Sequence, residues 1–148
     1  MPMIKRKTIR LAFAGALLAL GSAAHAATLT VYKSASCGCC SKWVEHVQKD
    51  GFTVKVVNVD DIMAVKAKAG TPVKLSRCHT SIVGGYVVEG HVPAADIKKL
   101  LAAKPKAKGI VVAGMPMGSP GMEHGDHREP FKTVLLKADG STSIFASH

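Results

Sequence analysis

Three of the four cysteines in this 148-residue chain fall within four positions, Cys37-Gly38-Cys39-Cys40, and the fourth, Cys78, follows about forty residues later beside His79. Thiols this crowded cannot all enter ordinary structural disulfides, and an odd thiol is unusual in a domain that meets an oxidising compartment. The cluster comes directly after Thr28-Leu29-Thr30-Val31-Tyr32, which alternates as a strand does, and it opens a run with helical spacing. A strand that delivers three cysteines to a helix N-terminus fixes a piece of fold and a chemistry together. The chemistry is soft-metal binding or redox exchange.

The compartment is read from the first residues. Lys5, Arg6, Lys7 and Arg10 form a basic start, Leu11 to Leu20 an apolar stretch, and Ala24-His25-Ala26 a small-x-small cleavage site, so residues 1–26 read as a secretory signal peptide. The apolar stretch is far shorter than the roughly twenty residues a spanning helix needs. The expected mature protein is residues 27–148, exported to the periplasm as a single domain with no stable membrane insertion. Losing the four basic residues of the signal takes the formal charge of +10 to about +6. That charge is scattered, aromatics are 5% of the chain, and no basic patch with stacking residues exists, which argues against nucleic acid.

Periodicity places the rest. After the first strand, Cys40, Trp43, Val44 and Val47 fall at i, i+3, i+4 and i+7, predicting a helix that Gly51 ends. Phe52 to Val59 is β-branched. A second helix is expected from Asp61 with Ile62, Val65 and Ala69 inward, stopping at Gly70. Ser81 to Val83 and Tyr86 to Val88 flank Gly84-Gly85 as a hairpin. A third helix starts after Pro93 and stops before Pro105, with Ala94, Ile97, Leu100 and Leu101 inward. The order β-α-β-α-β-β-α predicts an α/β, thioredoxin-like core with the cysteines at its first strand-to-helix junction. A short strand at Gly109, a Gly/Pro/Met-rich loop over Gly114 to Gly125 and a hairpin around Asp139-Gly140 extend it. That loop is long for a passive connector.

A helix N-terminus lowers a cysteine's pKa, and thiolate is the form that binds metal or attacks a disulfide. Cys37 and Cys40 alone have the C-x-x-C redox spacing; Cys39 is one thiol too many for a simple dithiol exchanger. A structural zinc site would want two separate C-x-x-C pairs, and the second half offers only Cys78-His79. Several thiolates around one cavity suit a polynuclear Cu(I) site better, because the ion is soft and one sulfur can bridge two of them. In the expected layout the loop before the third strand carries Cys78 toward the first helix's N-terminus. The plain alternative is a Cys37–Cys40 disulfide with Cys78 as a buried spare.

Four ordered motifs, Cys-Gly-Cys-Cys-x-x-Trp at 37–43, Ser-x-Cys-His-Thr at 76–80, Glu-Gly-His-Val-Pro at 89–93 and Gly-Met-Pro-Met-Gly-Ser-Pro-Gly-Met-Glu at 114–123, resemble the CopG-type periplasmic copper-resistance family. The resemblance runs over essentially the whole mature chain. It implies a thioredoxin-like fold, export in a Gram-negative bacterium, copper held by a cysteine-bridged cluster, and ligands at Cys37, Cys39, Cys40 and Cys78; bridging by four thiolates makes more than one Cu(I) the expected load. Copper ions, with other periplasmic copper-handling proteins, are the partners that go with it. Interconversion of Cu(I) and Cu(II) is a role suggested for the family; a catalytic reaction does not follow from the resemblance.

Accessory donors are read more conservatively. Met115, Met117 and Met122 suit a soft-metal relay and equally suit adaptable packing over the core. His124 and His127 read as solvated, His46 as a surface histidine, and Trp43 as core. His79 stands beside a ligand, either coordinating or tuning it from behind, and His91 fits the turn into the third helix. Asp60 and Asp61 fit helix capping. The competing function is a periplasmic thiol–disulfide oxidoreductase with Cys37 as nucleophile and Cys40 as resolving thiol. Against it, no proline follows Cys78, where thioredoxins place one that helps bind a disulfide substrate.

Overall fold

The computed structural model describes residues 27–148, so the export signal expected at 1–26 lies outside the described residues. The elements are β1 Thr28–Lys33, α1 Gly38–Lys49, β2 Thr53–Asn58, α2 Ile62–Ala69, a 3-10 turn Val73–Leu75, β3 Thr80–Val83, β4 Tyr86–Glu89, α3 Ala94–Ala103, β5 Gly109–Val112, β6 Lys132–Leu136 and β7 Thr142–Ser147. Their order is the one periodicity predicts. Local signals set the ends: the Asp61 carboxylate accepts the Ala64 N–H at 3.0 Å as N-cap of α2, and Gly70 closes that helix in the left-handed region.

The strands form one seven-stranded mixed sheet in the order β2-β1-β3-β4-β5-β6-β7. β1 runs parallel to β2 and antiparallel to β3; β4 runs antiparallel to β3 and parallel to β5; β6 and β7 add as an antiparallel hairpin. Side chains alternate between faces along each strand. One face, with Leu29, Val31, Val83, Val88 and Ile110, packs against Trp43, Val44 and Val47 of α1 and Ala94, Ile97 and Leu100 of α3 in one apolar core. The other face carries Thr80 and Glu89, paired in register, under α2.

α2 departs from the expected stripe. Ile62, Val65 and Ala69 are only half-buried, and the one fully buried residue of the helix is Lys66, at 1% exposure. The Ile62–Lys66–Ala69 face is therefore built around a charge.

Strand direction assembles the site. β1, β4 and β5 end, and β3 begins, at the same edge of the sheet, since Tyr32 pairs with Thr80, Thr80 with Glu89, and Glu89 with Val111. The segments gathered there are the α1 N-terminus, the loop carrying Cys78, the Gly90–Val92 connection and the loop following β5. No helix among the described residues is long and apolar enough to cross a membrane.

Candidate metal centre

Cys37 is the N-cap of α1, in extended conformation, and its carbonyl accepts both the backbone N–H and the hydroxyl of Ser41 at 3.2 Å. Cys39 and Cys40 lie in the first turn, with Cys40 fully buried on the Trp43–Val44–Val47 stripe and Cys37 and Cys39 half-buried at the edge. The first-turn N–H groups of a helix have no partner within it and favour negative charge beside them.

The four sulfurs of Cys37, Cys39, Cys40 and Cys78 lie within 4.8 Å of one another. Cys37 and Cys40 are joined as a disulfide, and Cys39 and Cys78 are free. The sulfur of Cys39 is 3.6 Å from that of Cys37, and the sulfur of Cys78 is 3.4 Å from the thioether of Met115. The disulfide of the plain alternative is thus present, while Cys78 is half-exposed and part of the group rather than a buried spare. Burial pushes the Cys78 thiol up, neighbouring Cys39 adds to the effect, and the Lys66 ammonium opposes it. Metal binding removes that proton, since a coordinated thiol ionises.

With the Cys37–Cys40 bond reduced, the donor set fits a soft cation: four sulfurs on one side and a thioether at its rim, with no carboxylate or imidazole among the four converging groups. Of the methionines considered above, Met115 is brought to the cysteines. Met117 and Met122 build the loop through their backbones, Met117 N–H donating to Glu129 and Met122 exchanging hydrogen bonds with Gly118 and Ser119.

His79 turns away from the sulfurs into the core. Its ring packs at 4.4 Å from that of Trp43 and edge-on to His91 at 5.2 Å, and neither of its nitrogens has a hydrogen-bond partner among the described residues. Burial, with His91 and Lys66 adding to it, holds this imidazole well below its ordinary range and so favours the neutral ring. Trp43 is core, as expected, and donates its indole N–H to the Val92 carbonyl at 2.8 Å.

His91 does more than shape the turn into α3. Its Nδ1–H donates to the Pro120 carbonyl at 2.8 Å, tying down the Met-rich loop. Gly121 follows at φ +85°, where a Cβ would meet the Cys39 carbonyl at 2.7 Å, so only glycine seats the loop this closely on α1. His46 is not a simple surface residue: half-buried, its Nε2 accepts the Ala94 N–H at 3.0 Å and caps α3 from α1.

Sequence reasoning missed the charge pair behind Cys78. Lys66 Nζ lies 2.6 Å from Glu89 Oε1 and 2.8 Å from Thr80 Oγ1, with both charged side chains at or below 1% exposure. The signals were a lysine on the inward stripe of α2 and a glutamate ending the apolar strand Tyr86-Val87-Val88-Glu89.

Comparison with known proteins agrees with this geometry. Residues 75–122, spanning Cys78 to Met122, match a family described as a protein of unknown function, DUF411. No curated protein is significantly similar to the chain. Two solved structures, described as copper resistance protein CopG in forms 2 and 1, superpose with TM-scores of 0.80 and 0.79 at 41% identity; each alignment covers 84% of this chain, and 99% and 98% of theirs. An alignment of that identity over nearly all of the CopG chain, with four sulfurs gathered at the helix N-terminus, means that this chain belongs to the CopG copper-resistance protein family.

Proposed function

We propose that the protein is an exported, periplasmic copper-resistance protein whose thioredoxin-like core holds more than one Cu(I) in a cysteine-bridged site formed by Cys37, Cys39, Cys40 and Cys78, with Met115 as a thioether donor at its rim. The observation that carries the reading is the convergence of all four sulfurs within 4.8 Å. Thiolates bridge soft ions, so four of them serve several Cu(I) without further ligands.

The disulfide adds an oxidation-state step. When the thiolates of Cys37 and Cys40 join, two electrons leave the sulfurs and reduce two Cu(II) to two Cu(I); reduction of the disulfide by an outside thiol restores the site. The same bond also supports the competing reading, a thiol–disulfide oxidoreductase in which Cys37 attacks a substrate disulfide and Cys40 resolves it. The free thiols Cys39 and Cys78 beside that pair have no part in such an exchange, which favours copper.

Titrating the reduced protein with Cu(I) against a competing chelator tests this. Saturation above one equivalent is expected, and Cys78→Ser should lower the copper load while the melting curve holds. Saturation at one equivalent, or preference for zinc at comparable free metal, sinks the cluster. Insulin reduction that depends on Cys37 and Cys40 and not on Cys78 would move the assignment to the oxidoreductase.

A further inference from the structure

Cys78 is the one cysteine of the site that α1 does not carry. It sits in the loop between the 3-10 turn and β3, and it is half-exposed. Something must hold it within reach of the other three sulfurs. On one side of it the backbone N–H of Arg77 donates to Glu89 Oε1 at 2.6 Å; on the other, the hydroxyl of Thr80 lies 2.5 Å from Glu89 Oε2. Both carboxylate oxygens are therefore used, one for each flank of Cys78. Lys66 completes the unit from α2, with its ammonium 2.6 Å from Glu89 and 2.8 Å from Thr80.

This arrangement is costly. Desolvating two charges is offset only by close geometry and further hydrogen bonds, and an apolar pair of the same volume commonly serves stability as well or better. A fully buried pair is thus weak evidence of a stability device. What it supplies here, and an apolar pair would not, is a fixed acceptor for the Arg77 N–H and a fixed orientation for Thr80.

We infer that the Lys66–Glu89–Thr80 unit positions Cys78, clamping Arg77 just before it and Thr80 two residues after it so that its sulfur closes the site opposite α1. The three side chains touch no copper; they act through Cys78. The inference deepens the proposed function and rests on it for the copper effect, while the positioning itself is measurable without metal.

Two arms test it on the purified protein. With Cys37–Cys40 oxidised and no metal present, Cys39 and Cys78 are the free thiols, and diamide should join them at a rate that reports their proximity. Glu89→Gln should slow that cross-link several-fold, Thr80→Val should slow it too, and Thr80→Ser, which keeps the hydroxyl, should restore it. Thr80→Val also stands in if Glu89→Gln fails to fold. In the second arm, Glu89→Gln should weaken Cu(I) binding about 10- to 100-fold, the usual effect of removing an outer-shell partner. In a Cys78→Ser background the same change should cost no further affinity, since the group it positions is gone.

An unchanged cross-linking rate in a variant with a lowered melting temperature, or an equal affinity loss in both backgrounds, would overturn the inference and leave the unit a support of the fold alone. A protein that binds no Cu(I) yet loses its cross-link in Glu89→Gln keeps the positioning and refutes the copper reading instead.

Discussion

The cysteine site has two halves that are held by different physics. Cys37, Cys39 and Cys40 are set side by side by one turn of helix: N-cap geometry at Cys37 and the α1 stripe that buries Cys40 bring three sulfurs together within four residues of sequence. Cys78 is fixed from a distance. Its loop is anchored by Glu89 from β4, Lys66 from α2 and Thr80 from β3, all buried, with Met115 reaching the exposed side. The local half is brought together wherever its helix forms. A long-range half exists only when the sheet is assembled, so it is where the completeness of the site can be lost without loss of the helix.

The largest effect expected from breaking that contrast is on the distant half. Glu89→Leu leaves the Lys66 ammonium buried without its counter-charge, and stranding one member of a buried pair costs about 3–5 kcal/mol. Urea unfolding of the metal-free protein should register that loss. Replacing both partners, Lys66→Met with Glu89→Leu, should recover most of the stability but not the copper affinity, because the Arg77 N–H still lacks its acceptor. If the double replacement restores both, Cys78 is not held through Glu89 and the two halves do not differ in this respect.

The same division explains what was legible in the sequence. The α1 stripe of Cys40, Trp43, Val44 and Val47 is written in the 3.6-residue period, and the structure buries those four residues together. The helix ends at Asp61, Gly70 and Pro93 are written in capping chemistry, and the order of elements along the chain, the closing hairpin included, is the expected one, whereas the order of strands across the sheet is not written in any local signal. Periodicity treats each helix as if its partner were apolar, and so it put Ile62, Val65 and Ala69 of α2 inward and passed over Lys66. A buried lysine is intelligible only with Glu89, which is 23 residues away in sequence. The roles of His46 and His91 are hidden from periodicity for the same reason: the N–H that His46 accepts and the carbonyl that His91 donates to lie in segments distant in sequence.

A smaller effect should come from acid, and it falls on the core between the two halves. His79 and His91 are both held below the ordinary imidazole range, chiefly by burial; for His91 the Pro120 carbonyl and Glu123 work in the opposite direction. Unfolding exposes these rings, which then take up protons near pH 6.5 while the folded protein does not. The unfolded state binds more protons below that value, so stability is complete above it and falls as pH drops toward the folded pKa. The slope for one fully excluded proton is about 1.4 kcal/mol per pH unit. Urea unfolding of the metal-free protein at steps between pH 7.5 and 5 should show that decline, and His79→Leu should reduce its slope to the share left by His91. A flat profile in the unmodified protein would mean that His79 finds a partner for its charge and that the core is less dry than its burial implies.

The smallest effect concerns the rim, where the distant half meets solvent. Met115 is 41% exposed, yet its sulfur lies 3.4 Å from that of Cys78, while Met117 takes part in its loop through backbone contacts to Glu129. Leucine nearly conserves methionine's volume, so Met115→Leu should change stability by less than about 1.5 kcal/mol. It removes the soft donor and leaves the shape. Transfer of Cu(I) from a donor chelate, followed by stopped flow, should then slow in Met115→Leu, with the final copper load unchanged because the four cysteines remain. Met117→Leu and Met122→Leu should transfer at the unmodified rate. Equal slowing in all three would show that the loop works as a relay along its length, and no slowing in any would leave Met115 as packing against Cys78, with the cysteines taking copper straight from solution.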